Sequence, residues 1–152
     1  MNSGNTIKRK NNLQTFLPYS DFKKTFQCLD YRRLGKQRVE ARQIYNILTG
    51  QQKSNAWKHH PAVLMWSGFE DALALYHNLC IEEWIKRGYK NNMTLLEIKN
   101  VVFPFWFGNE KFHASHRSNL LRKDFTYYSK FGWTEEINLP YIWMTKEKYE
   151  QI

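Results

Sequence analysis

The stretch RRLGKQRVEARQIYNIL, Arg32 to Leu48, spaces its apolar residues as a helix does. Leu34, Ala41, Ile44 and Leu48 fall on one stripe, while Arg32, Lys36 and Glu40 follow one another along a different face, each one turn from the next. Gly50 supplies the stop. A helix of this length with a single apolar stripe must bury it against other elements. The rest of the chain supplies helical patterns for that purpose and no convincing strand alternation.

Working outward, Ser20 is a candidate N-cap for a short helix carrying Phe22, Phe26 and Leu29. On the other side, Gln51 to Lys58 reads as a polar loop. His60 and Pro61 then open a long central helix, with Pro61 in its first turn and Gly88 at its end. Leu64, Met65, Leu73, Tyr76, Ile81, Trp84 and Ile85 crowd it with apolar surface. Thr94 followed by Glu97 has the spacing of a capping box for a further helix ending before Pro104. Val101 to Gly108 is intensely apolar and reads as a buried connector or docking loop. Another helix is expected over Lys111 to Arg122, then a short one from Asp124 to Phe131, stopped by Gly132. The remainder, through Pro140 and Trp143, reads as irregular and packed by its aromatics.

Met1 to Asn12 is polar, carries Lys8, Arg9 and Lys10, and reads as a disordered basic arm. From Leu13 onward no repeat or linker divides the chain. The expected architecture is one compact all-α domain over residues 13–152, with about five helices and an irregular aromatic-rich C-terminal segment.

Lysine and arginine number 23 against 14 acidic residues, a net charge of +9 with a pI near 9.6. Such a field attracts polyanions, and the phosphate backbone of nucleic acid is the commonest of them. Aromatic residues make up 16% of the chain, enough to serve both a core and base stacking. Cys28 and Cys80 have no metal-like spacing and read as reduced, buried thiols. No run of eighteen apolar residues exists, and the first residues lack an apolar signal core. The expectation is a cytoplasmic or nuclear-type compartment, with no membrane association and no obligate protein partner.

Two constellations bear on chemistry. The first is the helix run Arg32, Arg33, Lys36, Arg38 and Arg42, a phosphate-binding face in one reading and a solvated face in the other. Within it, Lys36 and Glu40 put an amine beside a carboxylate. That pairing suits imine-forming glycosyl transfer, and an ordinary i, i+4 salt bridge has the same spacing. The second is histidine. His59 and His60 precede the central helix, while His113 and His116 sit together in the donor-dense run His113, His116, Arg117, Ser118, Asn119, with Arg122 and Lys123 following. No fixed metal-ligand spacing appears, so neither a metal nor a cofactor is expected.

The stretches LQTFLPYSDF, LDYRRLGKQRVEA, HPAVLMW and FHASHRSNLLRKDFTYYSKFGW resemble small bacterial and viral proteins grouped with the pyrimidine-dimer DNA glycosylases of the phage endonuclease V type. The resemblance runs from Leu13 to Trp143. Toward the phage enzyme it rests on helix order, a Tyr-Arg pair, the Lys86-Arg87-Gly88 helix end and the Tyr-Tyr segment. It implies an all-α fold that binds kinked duplex DNA, flips a nucleotide and cleaves the glycosidic bond of a damaged base. It also implies an N-terminal amine as nucleophile, a glutamate after the Tyr-Arg pair, and basic residues on the phosphates.

Carried over, Arg32 matches the family arginine and Lys36 the next basic position, whereas Arg33 occupies the place of the glutamate. The terminal amine is expected on Met1, because Asn2 is too large for efficient removal of that methionine, and it sits some twelve residues before the matching segment. Lys36 and Glu40 are therefore the expected replacement amine and carboxylate, with His113 and His116 as further catalytic candidates. Arg32, Arg33, Arg38, Arg42, His59, His60, Arg117, Ser118, Asn119, Arg122 and Lys123 are the expected contacts to double-stranded DNA. The expected function is a DNA-repair glycosylase, with or without AP-lyase activity, acting on damaged or modified pyrimidines in duplex DNA. A non-catalytic DNA-binding module on the same fold, and a histidine-dependent nuclease or other phosphodiester enzyme, are the alternatives.

Overall fold

A computed structural model of the protein describes residues 13–52 and 57–146; the N-terminal arm, the centre of the polar loop and the last six residues lie outside it. The described residues form six α-helices and a 3-10 turn, and contain no strand. Helix α1 (Phe22–Cys28) is capped by Asp21, one residue later than the expected Ser20, its carboxylate accepting the Lys24 N–H at 2.9 Å. Helix α2 (Tyr31–Leu48) starts on Asp30 and buries Leu34, Gln37, Ala41 and Ile44. Both α1 and α2 pack against α4 (Glu70–Lys86), which is the centre of the fold.

The single helix expected from Pro61 to Gly88 is two: α3 (Pro61–Leu64) and α4. Gly68, with φ +88°, is the break, and its N–H is taken by the Glu70 carboxylate at 3.0 Å. Breaking there lets Trp66 bury fully, its indole N–H donating to Thr15 Oγ1 at 3.0 Å. No helix forms behind Thr94 and Glu97 either. The polar groups of that segment are claimed by neighbouring helices instead. Arg42 donates to the Thr94 carbonyl, Asn78 pairs with both the N–H and C=O of Leu96, and Asp71 accepts the N–H groups of Lys99 and Asn100. The connector after it buries Pro104 and Trp106 and leaves Val102, Phe103 and Phe105 exposed.

Helix α5 (Glu110–Lys123) is capped by Asn109, and α6 (Phe125–Tyr128) by Asp124, before the 3-10 turn Ser129–Phe131 ends on Gly132 at φ +74°.

The core's distinctive component is an extended segment, residues 13–18, every residue of which is buried. Having no sheet partner, its backbone is satisfied by side chains. Gln37 Oε1 accepts the Phe16 N–H at 2.9 Å, and Gln37 Nε2 donates to the Gln14 carbonyl at 2.8 Å. Tyr76 Oη donates to the Phe16 carbonyl at 2.8 Å, and Arg117 to the Pro18 carbonyl at 2.8 Å. His116 Nδ1 accepts the Leu17 N–H at 3.0 Å, and His113 Nδ1 donates to the Leu17 carbonyl at 2.7 Å.

Candidate active site

Helix α2 is anchored at its start by Asp30. The carboxylate of Asp30 accepts from the Arg33 N–H at 3.3 Å and from its guanidinium at 3.1 Å, and it takes a hydrogen bond from the Tyr128 hydroxyl. Burial opposes ionisation of Asp30, but the Tyr128 and Arg33 bonds prevail and hold its carboxyl below the ordinary value. This anchoring fixes the start of α2, whose first three turns carry Arg32, Arg33, Lys36 and Glu40 along a cleft of about 230 Å³. Lys123, from the last turn of α5, lines it as well, together with Phe16 of the buried segment. Four cations thus surround one carboxylate.

Glu40 is the chemically distinctive member. Its Oε2 accepts from Gln37 Nε2 at 2.9 Å. Burial pushes its carboxyl up to about 7, against the opposing pull of Lys36, the Gln37 bond, the Gln14 backbone and Lys123. A carboxyl poised there exchanges its proton near neutral pH, which is what acid–base catalysis requires. Desolvation, followed by the neighbouring Arg33, Arg122 and Lys36, lowers the pKa of the Lys123 amine. A carboxyl that favours its proton therefore shares the cleft with an amine that gives its proton up more readily than usual.

The structure brings together Arg32, Arg33, Lys36, Glu40 and Lys123 out of the sequence-derived candidates and sets the others elsewhere. His113 and His116 are each 1% exposed. His113 Nε2 accepts the Gly108 N–H at 3.0 Å, so both of its ring nitrogens are committed to backbone. Burial lowers the His116 pKa to about 3, leaving it a neutral acceptor for Leu17. Both rings hold the extended segment in the core, and neither lines the cleft.

The donors around them do similar work for the C-terminal segment. Ser118 donates to the Glu136 carbonyl and accepts the Leu139 N–H, while Asn119 and Arg122 donate to the Leu139 carbonyl. Arg117 is held by Glu110 and Glu135 in addition to Pro18. Arg38 donates to Asn91 Oδ1 at 3.1 Å and packs on Trp84, and Arg42 is spent on Thr94. His60 caps α3, its Nδ1 accepting the Ala62 N–H at 3.0 Å, and His59 is exposed beside it. The amine of Met1 lies outside the described residues.

Two residues that matter at the cleft are absent from the sequence-derived set. Phe16 belongs to a segment with no helical or alternating pattern. Gln37 had a readable signal: it interrupts the apolar stripe between Leu34 and Ala41, and a polar residue at a buried register needs partners there.

Among the described residues no three or more His, Cys, Asp or Glu side chains could together hold a metal ion, and no described helix is long and apolar enough to cross a membrane. No curated protein and no solved structure matches the chain. A family model described as pyrimidine dimer DNA glycosylase matches residues 13–97, a span that includes the buried segment and the whole α2 wall of the cleft. By that match, the chain belongs to the pyrimidine dimer DNA glycosylase family.

Proposed function

We propose that this protein cleaves the glycosidic bond of a damaged pyrimidine in duplex DNA, with the chemistry in the cleft between α2 and Lys123. The observation that carries the reading is Glu40: a carboxyl held at about 7 and ringed by four cations, in a chain whose family acts on DNA. Arg32, Arg33 and Lys123 hold the phosphates that flank the lesion, and duplex DNA supplies the countercharge for the net +9. Glu40 takes over the role of the carboxylate that the family resemblance leads one to expect where Arg33 stands.

In this mechanism the Lys36 amine passes a proton to solvent and its nitrogen lone pair attacks C1′ of the flipped nucleotide. The C1′–N bond breaks, its electron pair leaves with the base, and protonated Glu40 delivers a proton to the departing base. A proton passes from the adduct nitrogen to O4′, the C1′–O4′ bond breaks, and the opened sugar is held to Lys36 as a C1′ iminium. Glu40, now ionised, removes a C2′ proton, which expels the 3′ phosphate and breaks the strand. The buried bonds of Gln37 fix the carboxylate for these transfers.

The test is incubation with duplexes carrying a thymine dimer or an abasic site, with and without borohydride. The expected result is glycosidic cleavage at the dimer, read as thymine freed after photoreversal of the cyclobutane ring, with a trapped adduct that peptide mapping places on Lys36 and that Lys36→Ala abolishes. An adduct on Lys123 or on the amine of Met1 would reassign the nucleophile. Release of the base with no adduct would leave a monofunctional glycosylase in which Glu40 activates water. Binding without cleavage of any damaged duplex would reduce the protein to a DNA-binding module.

A further inference from the structure

Beside the cleft, the start of α2 carries an aromatic feature that the glycosylase reading does not use. Tyr31 is 50% exposed and Tyr89 38% exposed, yet their rings stack on one another, with centroids 5.9 Å apart and planes 28° apart. Tyr89 stacks in turn on Trp84 at 4.4 Å and 30°, and the Arg38 guanidinium packs on Trp84 at 4.2 Å. The inner end of this column is fixed. The Trp84 indole donates to the Lys90 carbonyl at 2.9 Å, and its ring lies against Gly35, where an added Cβ would come within 3.0 Å. Its outer end, Tyr31, is open to solvent.

Arg32 belongs to both features: it lines the cleft, and its guanidinium carbon is 5.8 Å from the Tyr31 ring centroid. Resting on the reading of the protein as a DNA glycosylase, we propose that the Tyr31–Tyr89 column is a stacking platform for one unpaired nucleobase of the bound DNA. The base lies on Tyr31 while Arg32 holds the phosphate of the same nucleotide.

The chemistry favours a nucleotide over an apolar protein segment. An aromatic face with cations alongside it, Arg32 at one end and Arg38 at the other, matches a π-face joined to an anion. The column is also pre-assembled, so a base added to it restores stacking without ordering new side chains. Opening a duplex at a lesion leaves bases without a stacking partner, and a fixed aromatic end next to the phosphate-binding cleft offsets that loss.

The experiment uses the full chain and duplexes with an abasic site, carrying 2-aminopurine either opposite the abasic position or next to it. Anisotropy reads affinity, and 2-aminopurine emission reads stacking. The expected result is that wild-type protein quenches the emission at one of these positions. Tyr31→Leu should lose that quenching and about tenfold in affinity, with the salt dependence unchanged, and Tyr31→Phe should keep both. Tyr31→Gln provides a second ring-free variant, each being checked by its helical circular dichroism. Unchanged quenching in folded Tyr31→Leu or Tyr31→Gln, with DNA still bound, overturns the platform and leaves the glycosylase reading standing. Absence of salt-dependent DNA binding by the wild type overturns both.

Discussion

Gln37 Nε2 lies 2.9 Å from the Glu40 carboxylate and 2.8 Å from the Gln14 carbonyl, so one buried amide joins the cleft's acid to the extended segment beneath it. Its carbonyl oxygen accepts from the Phe16 N–H, and the Tyr76 hydroxyl lies against the same oxygen while it donates to the Phe16 carbonyl. Replacing it by an apolar side chain of similar size strands the buried Phe16 N–H and the buried Gln14 C=O. Gln37→Leu should therefore destabilise the protein by about 3 kcal/mol. Urea unfolding checks this, and a loss under about 1 kcal/mol would show that the network is not needed for stability.

Glu40 makes a signed prediction about pH. Its folded pKa, about 7, is above the ordinary 4.5, so between those values the native state binds more protons than the unfolded one. Its contribution is therefore complete below pH 4.5 and is lost as pH rises through 7, a swing of about 3 kcal/mol. Glu40→Gln removes this dependence. Relative to wild type, the variant should gain stability by roughly that amount between pH 4.5 and pH 8. Parallel stability curves for the two proteins would place the carboxyl at its ordinary value.

His116 works in the opposite sense. Burial lowers its pKa from 6.5 to about 3, so the native state binds fewer protons across that window. Stability is fully present above pH 6.5 and falls as the pH is lowered, by up to about 5 kcal/mol near pH 3. His113, also lowered by burial, acts in the same direction. His116→Asn should be less stable at neutral pH yet show a flatter decline between pH 6 and 4, as measured by urea titration at each pH. An acid limb as steep as that of wild type would mean that His116 does not titrate on unfolding.

The cations divide into two groups. Arg32→Ala and Lys123→Ala should each lower the slope of log affinity against log salt by about 1, with little effect on folding. Arg117→Ala should do the reverse. It leaves Glu135 and the Pro18 carbonyl without their partner, costing about 3 kcal/mol of stability while the salt slope stays put. Anisotropy titrations over a salt series, paired with urea melts, separate the groups; a drop in slope for Arg117→Ala would place that side chain on DNA.

The all-helical class and the positions of α1, α2, α5 and α6 were readable from local periodicity, with Gly50 as a stop after α2 and with Asp124 and Gly132 bracketing the last short helix. The break at Gly68 was not. A glycine inside an apolar helical pattern is tolerated as often as it interrupts, and here the burial of Trp66 decided the matter. The segment around Thr94 carried a good capping signal, overridden by side chains of α2 and α4 that no local pattern shows. At the cleft, Arg32, Arg33, Lys36 and Glu40 shared a helix and were legible together. Lys123 was legible only as a charge, because its approach to the cleft depends on how α5 packs. The run from His113 to Arg122 looked like a catalytic surface because it is dense in donors. Those donors serve backbone of the two irregular segments, which cannot pair with a sheet.

The central claim is that Glu40 transfers the proton when the glycosidic bond breaks. The most direct test is the single-turnover rate of glycosidic cleavage at a thymine dimer, read as thymine freed after photoreversal of the cyclobutane ring and measured from pH 5 to 9 for wild type and Glu40→Gln. Wild type should show a break in the rate near pH 7, where the carboxyl titrates. Glu40→Gln should lose at least ~100-fold in rate, and the break with it, while binding the same duplex as tightly as wild type at pH 5. A Glu40→Gln protein that cleaves the glycosidic bond at the wild-type rate, with the same pH profile, would contradict the account.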